Sequence, residues 1–365
     1  MSPEHGFPCA ECGADLRFAP GTDALTCDHC GATNTLPARD GRRDHLAELD
    51  FDAAAGAGLP EASTEETRVS KCENCGAEIT FDEAVHATEC AFCAAPLVTD
   101  TGSQRRIKPA ALVPFVKSEP EARAAMTKWL GRLWFAPNGL QEYARKGRAM
   151  QGIYVPYWTY DADTKSDYRG QRGTIYHETR NVQVKVDGKM QTRTEQVQKV
   201  RWSPASGRVA RFFNDILILA ATSLPKSHTD ALKPWDLAAL APYDTDYLAG
   251  FRSEGYTISL QDGYRAARDH MDRVIDSDVR ADIGGDRQKV TRVDTDIRDV
   301  TFKHVLLPVW LAAYKYRGKS YRFVVNGQSG RVKGERPYSK IKIAFAVMAA
   351  ILVIAFIALL AAANG

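Results

Sequence analysis

Eight cysteines stand in two sets of four. Cys9, Cys12, Cys27 and Cys30 form the first set, and Cys72, Cys75, Cys90 and Cys93 form the second. Both sets have the form C-x2-C-x14-C-x2-C, and they use every cysteine in the chain. Four thiolates in two close pairs suit one tetrahedral zinc ion. Each C-x-x-C turn places two sulfurs on one side of a knuckle, and the long gap lets a hairpin return the second pair. Gly13, Gly31 and Gly76 follow Cys12, Cys30 and Cys75, where the knuckle favours positive φ; Ala94 breaks the pattern after Cys93. Between the pairs, "ADLRFAP" and "AEITFDE" align Leu16 with Ile79 and Phe18 with Phe81, the positions expected to pack over the metal.

Rival chemistries fit less well. A thioredoxin-like redox pair needs a βαβ setting and does not come as four pairs. Disulfides suit a secreted chain, but "MSPEHGFPCAEC" has neither a basic n-region nor an apolar h-region. An iron–sulfur cluster also uses four cysteines, but the even spacing favours zinc. The expectation is two structural Zn2+ ions, each closed by four sulfurs with no open position for a substrate.

Other chemistry is sparse in the sequence. The P-loop, G-x-G-x-x-G, H-E-x-x-H and G-x-S-x-G motifs are absent. His29 and His86 lie inside the cysteine modules and read as surface residues. In "YHETR", His177 and Glu178 are strand neighbours that point to opposite faces. Asp294, Asp296 and Asp299 read as a solvated face, and the aromatics of "YVPYWTY" as core. No catalytic residue is assigned, and the chain is expected not to be an enzyme.

The elements that must position the cysteines follow from composition and pattern. Residues 1–36 and 71–100 read as zinc ribbons, separated by a flexible acidic linker over 37–70. Residues 107–335 read as an α+β body with a largely antiparallel sheet. Within it, "SEPEARAAMTKWLGRLW", "SHTDALKPWDLAAL" and "LQDGYRAARDHMDRVIDSDV" read as helices, and Ala124, Met126, Leu130 and Leu133 are the apolar positions of the first. Asp187-Gly188 and Asn326-Gly327 mark turns. "YVPYW" and "LLPVW" echo each other as two similar buried strands.

Charge divides the chain. Residues 1–100 carry 6 Lys+Arg against 19 Asp+Glu, while the remaining residues carry 42 against 26. The acidic half would repel phosphate, so nucleic acid is not the partner expected of the ribbons. At the far end, Ile343–Ala363 is a 21-residue run with no charge, Pro or Gly. As a helix it reaches about 30 Å, the thickness of a bilayer core. Arg331, Lys333, Arg336, Lys340 and Lys342 precede it, which orients the body and ribbons to the cytoplasmic side of a single-pass, tail-anchored cell-membrane protein.

With the ribbons, "LAPYDTDYLAGFRSEGYTI", "LLPVW", "VVNGQSGRVKGERP" and the apolar tail, the chain resembles bacterial membrane-anchored proteins containing a transcription factor IIB-type zinc ribbon. Some of these carry the label primosomal protein N′ or replication factor Y, superfamily II helicase. No helicase motor accompanies the ribbons here, so the resemblance implies architecture rather than mechanism. The function expected is a non-enzymatic adaptor or scaffold that meets a cytoplasmic protein partner through its ribbons. The alternatives are a membrane-tethered nucleic-acid-binding protein linked to replication, and an enzyme with an unrecognised site in the body.

Overall fold

The computed structural model describes residues 7–36, 46, 48–56, 63–74, 76–80, 87–90, 92, 96–98, 103–137, 150–186, 189–316 and 319–363. Cys75, Cys93, Phe81, His86, Ala94 and the Asp187-Gly188 turn lie outside the described residues. Along the chain, β1 (Leu16–Phe18), β2 (Ala24–Cys27) and β3 (Thr33–Thr35) make a small antiparallel sheet. β4 (Leu49–Asp50) leads into helix α1 (Phe51–Gly56). β5 (Thr64–Lys71) lies between β6 (Glu78–Thr80) and β9 (Ser103–Ile107), while β7 (Ala87–Glu89) pairs with β8 (Pro96–Val98). β10 (Ala111–Leu112) and helix α2 (Glu119–Gly131) precede two very long strands, β11 (Gln151–Val186) and β12 (Lys189–Leu219). Helix α3 (Lys226–Asp230), β13 (Ala241–Pro242), β14 (Arg252–Ser253) and helix α4 (Leu260–Ile283) follow. The chain closes with β15 (Arg287–Tyr316), β16 (Lys319–Asn326), β17 (Val332–Gly334) and helix α5 (Lys340–Ala363).

β11 and β15 are the axis of the molecule. They run antiparallel, and their register sets the two echoed segments against each other: Tyr154 opposes Pro308, Val155 opposes Leu307 and Pro156 opposes Leu306. Both segments are buried on both faces. Successive strand residues point to opposite sides, so odd and even positions belong to different cores. Ile153, Val155, Tyr157, Val305, Leu307, Val309 and Leu311 share one cluster with Cys72, Ala77, Cys90 and Phe92. Tyr154, Leu306 and Trp310 share another with Cys9, Leu16, Phe18 and Cys27. One cysteine segment thus covers each face of the same strand pair.

The stretch from residue 37 to 70 was expected as flexible linker, but its described parts are built into the fold. Leu49 and Asp50 pair with Phe302 and Thr301 of β15. Phe51 packs against Tyr160 and Tyr264. Thr64–Arg68 pair with Ser103–Ile107. Buried Lys303 secures the segment: its ammonium lies 2.7 Å from Glu48, 2.9 Å from Asp215 and 3.4 Å from Asp161. One cation facing three carboxylates leaves Asp161 poorly compensated, and burial pushes it up to about 6.

Helices form where the pattern calls for them, with two changes. α2 starts at Ser118, whose N–H and Oγ both donate to Glu121, each at 2.9 Å. Its inward residues are Ala122, Met126 and Leu130, and Ala124 is exposed. The helix expected from "SHTDALKPWDLAAL" is only the five residues of α3, because Pro234 interrupts it, and a 3-10 turn at Leu237–Ala239 follows. α4 is capped by Ser259, whose Oγ accepts from Asp262 N–H at 3.1 Å. It buries Leu260, Gly263, Ala267, Met271, Ile275, Val279 and Ile283, one stripe at helical spacing.

Beyond the core the three long strands continue as an arm. β15 accompanies β11 as far as the Gly173↔Arg287 pair. From Thr174 onward only β11 and β12 remain, paired in register out to Val186↔Lys189. At about 3.3 Å per residue the two-stranded part reaches roughly 40 Å past the end of β15. Its described side chains are exposed or half-buried.

Gly263 sets how closely α4 approaches the sheet. A Cβ there would lie 2.5 Å from Tyr160 Oη and 2.7 Å from Trp158 Cδ1. Both rings are fully buried and hydrogen-bonded, Trp158 to Ile258 O and Tyr160 to Leu260 O, so neither has room to yield. Gly263→Val is expected to destabilise the protein by about 1–3 kcal/mol, the usual cost of overpacking. Chemical unfolding of the detergent-solubilised variant against the parent measures it.

Candidate metal centre

The sulfurs of Cys9, Cys12, Cys27 and Cys30 all lie within 4.8 Å of one another. Cys9 Sγ is 3.5 Å from Cys30 Sγ, and Cys12 Sγ is 3.6 Å from Cys27 Sγ. None of the four is in a disulfide. A tetrahedron of sulfurs about 2.3 Å from a central zinc has edges of about 3.8 Å, so the cluster has the size such an ion requires.

Local backbone chemistry makes the cluster. Cys9 N–H donates to Ala14 O at 2.7 Å, and Gly13 N–H returns to Cys9 O at 2.8 Å. The second knuckle repeats this, with Cys27 N–H to Ala32 O at 2.9 Å and Gly31 N–H to Cys27 O at 3.0 Å. Gly13 and Gly31 take φ of +74° and +77°, the left-handed region that the spacing predicts for them. β1 and β2 then bring the knuckles together, pairing Leu16 with Cys27 and Phe18 with Leu25. Leu16 and Phe18 are both buried, as expected of positions that pack over the metal.

The knuckles also turn backbone N–H groups onto sulfur. Those of Cys30 and His29 point at Cys27 and hold its thiol down at about 6. The Ala32 N–H favours the Cys30 thiolate in the same way, but the neighbouring thiols of Cys12 and Cys9 outweigh it and push Cys30 up to about 12. Ala14 N–H likewise assists Cys12, which the group as a whole still raises. The four sulfurs compete because adjacent thiolates repel. One dication would replace the shared protons and let all four ionise, so these residues can hold one metal ion. His29 is exposed and stands outside the cluster.

The second set is only partly described, since Cys75 and Cys93 fall outside the described residues. Cys72 and Cys90 are buried. The knuckle that follows Cys72 has the geometry of the first two: Cys72 N–H donates to Ala77 O at 2.8 Å, Gly76 N–H to Cys72 O at 2.7 Å, and Gly76 takes φ +73°. β7 and β8 pair Ala87 with Val98, as β2 and β3 pair Ala24 with Thr35, a shift of 63 residues in both partners.

Both segments are seated on the body. Phe18 N–H donates to Ala249 O at 3.0 Å, Gly21 N–H donates to Phe115 O at 2.9 Å, and Phe18 meets Tyr247 edge-on at 5.1 Å. On the other face, Gly255 N–H donates to Glu78 O at 2.9 Å. The Glu78 carboxylate pairs with Arg106, which donates to Tyr256 O at 2.7 Å and lies over the Tyr256 ring. Under this junction sit two buried ionisable groups. Burial pushes Glu254 up to about 8, against partial help from the Ser223 hydroxyl. Burial also holds His304 down at about 4, although its Nδ1 lies 2.9 Å from Ile107 O.

Other sequence candidates do not converge on a site. Glu178 pairs with Lys199 across the arm, and His177 sits opposite Gln198. Asp294 and Asp296 are neutralised by Arg292 and Arg298. Tyr154, Tyr157, Trp158 and Tyr160 are fully buried core. What the sequence reading missed is the pair of junctions themselves. Their only local trace is charge placed where apolar residues prevail, Lys303-His304 inside "TFKHVLLPVW" and Arg106 before Ile107.

Over 340 residues the chain is 28% identical to the uncharacterized protein YdjG of Bacillus subtilis (strain 168), an alignment covering 93% of this chain and 92% of that protein. No family model and no solved structure matches the chain.

Two outcomes test this geometry. Replacing Cys12 and Cys30, the exposed pair, with Ser should remove one bound metal ion and lower the unfolding midpoint, read by elemental analysis and thermal melting of the purified protein. The junction predicts a pH dependence. Glu254 keeps its proton in the folded state after the unfolded chain has lost it, so its contribution falls as pH rises from about 4.5 to about 8. His304 is neutral when folded and charges on unfolding, so its contribution falls as pH drops from about 6.5 to about 4. Glu254→Gln should therefore stabilise the protein at pH 9, by up to about 4 kcal/mol, and change little at pH 5.

Proposed function

We propose that this chain is a membrane-anchored zinc-ribbon adaptor that presents its β arm to a cytoplasmic protein partner. The observation that carries the reading is the arm: a two-stranded ribbon with exposed faces, projecting past every other described element of the sheet. A hairpin of this kind gains little from packing on its own fold, and its use is to be reached from outside. β12 lies at the end of the main sheet, so its outer edge offers main-chain groups for strand addition. From Thr174 to Arg201 the arm carries six Lys or Arg against three Asp or Glu, which favours an acidic partner segment.

The two cysteine sets are read as two structural Zn2+ sites. The close cluster of four sulfurs supports this for the first, and the matching Cys72 knuckle and β7–β8 register support it for the second. Because the ribbons are seated on the body, their role in this proposal is to complete the scaffold, with only their outer surfaces left for a partner.

α5 supports the anchor. Lys340–Ala361 is long and apolar enough to cross a membrane, and no described protein surface covers it. The cations of residues 331–342 favour the cytoplasmic side for the body, a reducing compartment that keeps thiolates available for zinc.

A second reading has the arm grip a polyanion. The same basic surplus supports it, as do Arg201 stacked on Tyr176 and Lys289 on Trp202.

The test is a photo-crosslinking residue at Thr174, at the base of the two-stranded arm, in the full-length protein in native membranes, beside a variant that keeps this crosslinker but has residues 175–200 replaced by Asn-Gly. A discrete protein adduct that disappears with the shortened arm is the expected result. Absence of any arm-dependent protein adduct overturns the adaptor. A titration with single-stranded DNA whose affinity falls steeply with salt would then select the polyanion reading.

A further inference from the structure

We propose that the corner at the C-terminal end of α2 is a second membrane contact, with Trp134 and Phe135 seated among anionic phospholipid headgroups beside the anchor. The inference rests on the reading of α5 as a membrane span and adds a surface of the body to it.

Trp134 is the most exposed large apolar side chain among the described residues, at 79%. It is not alone. Phe135 beside it, and Tyr338 and Ile341 at the entry to α5, are exposed at 36%, 58% and 70%. The four residues therefore extend the uncovered apolar surface of α5 onto the body. A soluble surface seldom carries such a contiguous patch without a partner, and here the patch runs into a helix whose own apolar surface is uncovered all round.

The corner is held, not frayed. Arg132 N–H donates to Trp129 O at 3.1 Å, Leu133 N–H to Leu130 O at 3.2 Å and Ala136 N–H to Leu133 O at 3.0 Å, which closes the chain into tight turns after α2. Leu130 and Ala136 are buried against Phe323. Two bonds then tie this turn to the first residues of α5: Ser339 N–H donates to Phe135 O at 2.8 Å, and Lys342 Nζ donates to Ala136 O at 2.9 Å. Trp134 is thereby fixed at the level where the apolar helix begins.

The surrounding chemistry matches a headgroup layer. Trp and Tyr favour that layer because an apolar ring and a polar N–H or O–H are both satisfied there. Lys128, Arg132 and Lys340 are exposed nearby, and Arg336 lies 5.0 Å from the Tyr338 ring centre. The local acid, Glu335, faces inward and accepts the Arg322 N–H. Cations ringed around aromatic side chains at a helix entry suit a surface of anionic lipid.

The experiment uses full-length protein in vesicles of phosphatidylcholine and phosphatidylglycerol, with and without bromine at acyl carbons 6 and 7. The chain has six tryptophans, of which Trp158, Trp235 and Trp310 are buried in the body. Bromolipid quenching of tryptophan fluorescence is compared between the parent and Trp134→Phe, and alkaline carbonate extraction is run on both. The expected result is that both resist extraction and that the variant loses at least half of the quenching. Unchanged quenching in a variant that resists extraction overturns the corner contact and leaves the anchor standing. Release of the parent by carbonate overturns both.

Discussion

A strand pair buried on both faces needs two covers, and the rest of the structure depends on that constraint. β11 and β15 carry large apolar side chains at consecutive positions from Ile153 to Trp158 and from Val305 to Leu311. Alternation sends half of these to each side. A cysteine module of about thirty residues has the opposite deficit, being too small to bury a core of its own. Each problem answers the other. The segment around Cys9 and Cys27 closes over the even positions, and the segment around Cys72 and Cys90 closes over the odd ones. Two faces call for two modules, which gives a physical reason for the motif to occur twice.

What the sequence made legible follows from how local each signal is. The knuckles are local: a few residues and backbone bonds define them, and the described turns after Cys9, Cys27 and Cys72 form where the spacing puts them. α4 is local too, because its apolar stripe and its Ser259 cap lie within one helix. The docking of the modules was not legible, because Phe18 meets Tyr247 and Glu78 O meets Gly255 N–H across long separations that no periodicity marks. The linker misled for a related reason. Its Ala, Gly, Ser and Thr content resembles a tether, yet Leu49, Phe51 and Glu48 all find partners on the body, and those contacts outweigh the composition. The Asp187-Gly188 turn marks a hairpin in the sequence, but the length of its strands carries no such mark. Continuity of β11 over 36 residues depends on backbone pairing with both β12 and β15 up to Gly173 and with β12 from Thr174 onward.

The charge division between the two halves of the sequence also takes on a different meaning. An acidic N-terminal part and a basic remainder suggest attraction to something outside the chain. Part of that attraction is spent inside it. Glu48 meets Lys303 across a junction between the N-terminal part and the body, and Glu78 holds Arg106, which reaches on to Tyr256 of the body. Such half-buried pairs define a docking register more than they add stability, since desolvation offsets much of the Coulombic gain. Glu254 and His304 lie close under the same junction in their neutral forms, so the seat of the second module is where protonation and packing meet.

β15 joins the two ends of the molecule. Its first residues, from Arg287, lie along the base of the arm, and its last pair with β16, whose Arg322 accepts the Glu335 N–H ahead of α5. About 23 residues of strand separate Arg287 from Trp310, roughly 75 Å of extended chain. The arm therefore leaves the body at the end remote from α5. With α5 in a membrane and the α2 corner at its surface, the body would be fixed at two points, and a strand has little freedom to bend when its centre is packed on both faces. In that arrangement the arm tip is held away from the lipid, at a height set by the length of β15. On the proposed reading, a ribbon that adds nothing to the core would have a use for its length: it would set the distance between the surface that holds the protein and the place where a partner would meet it.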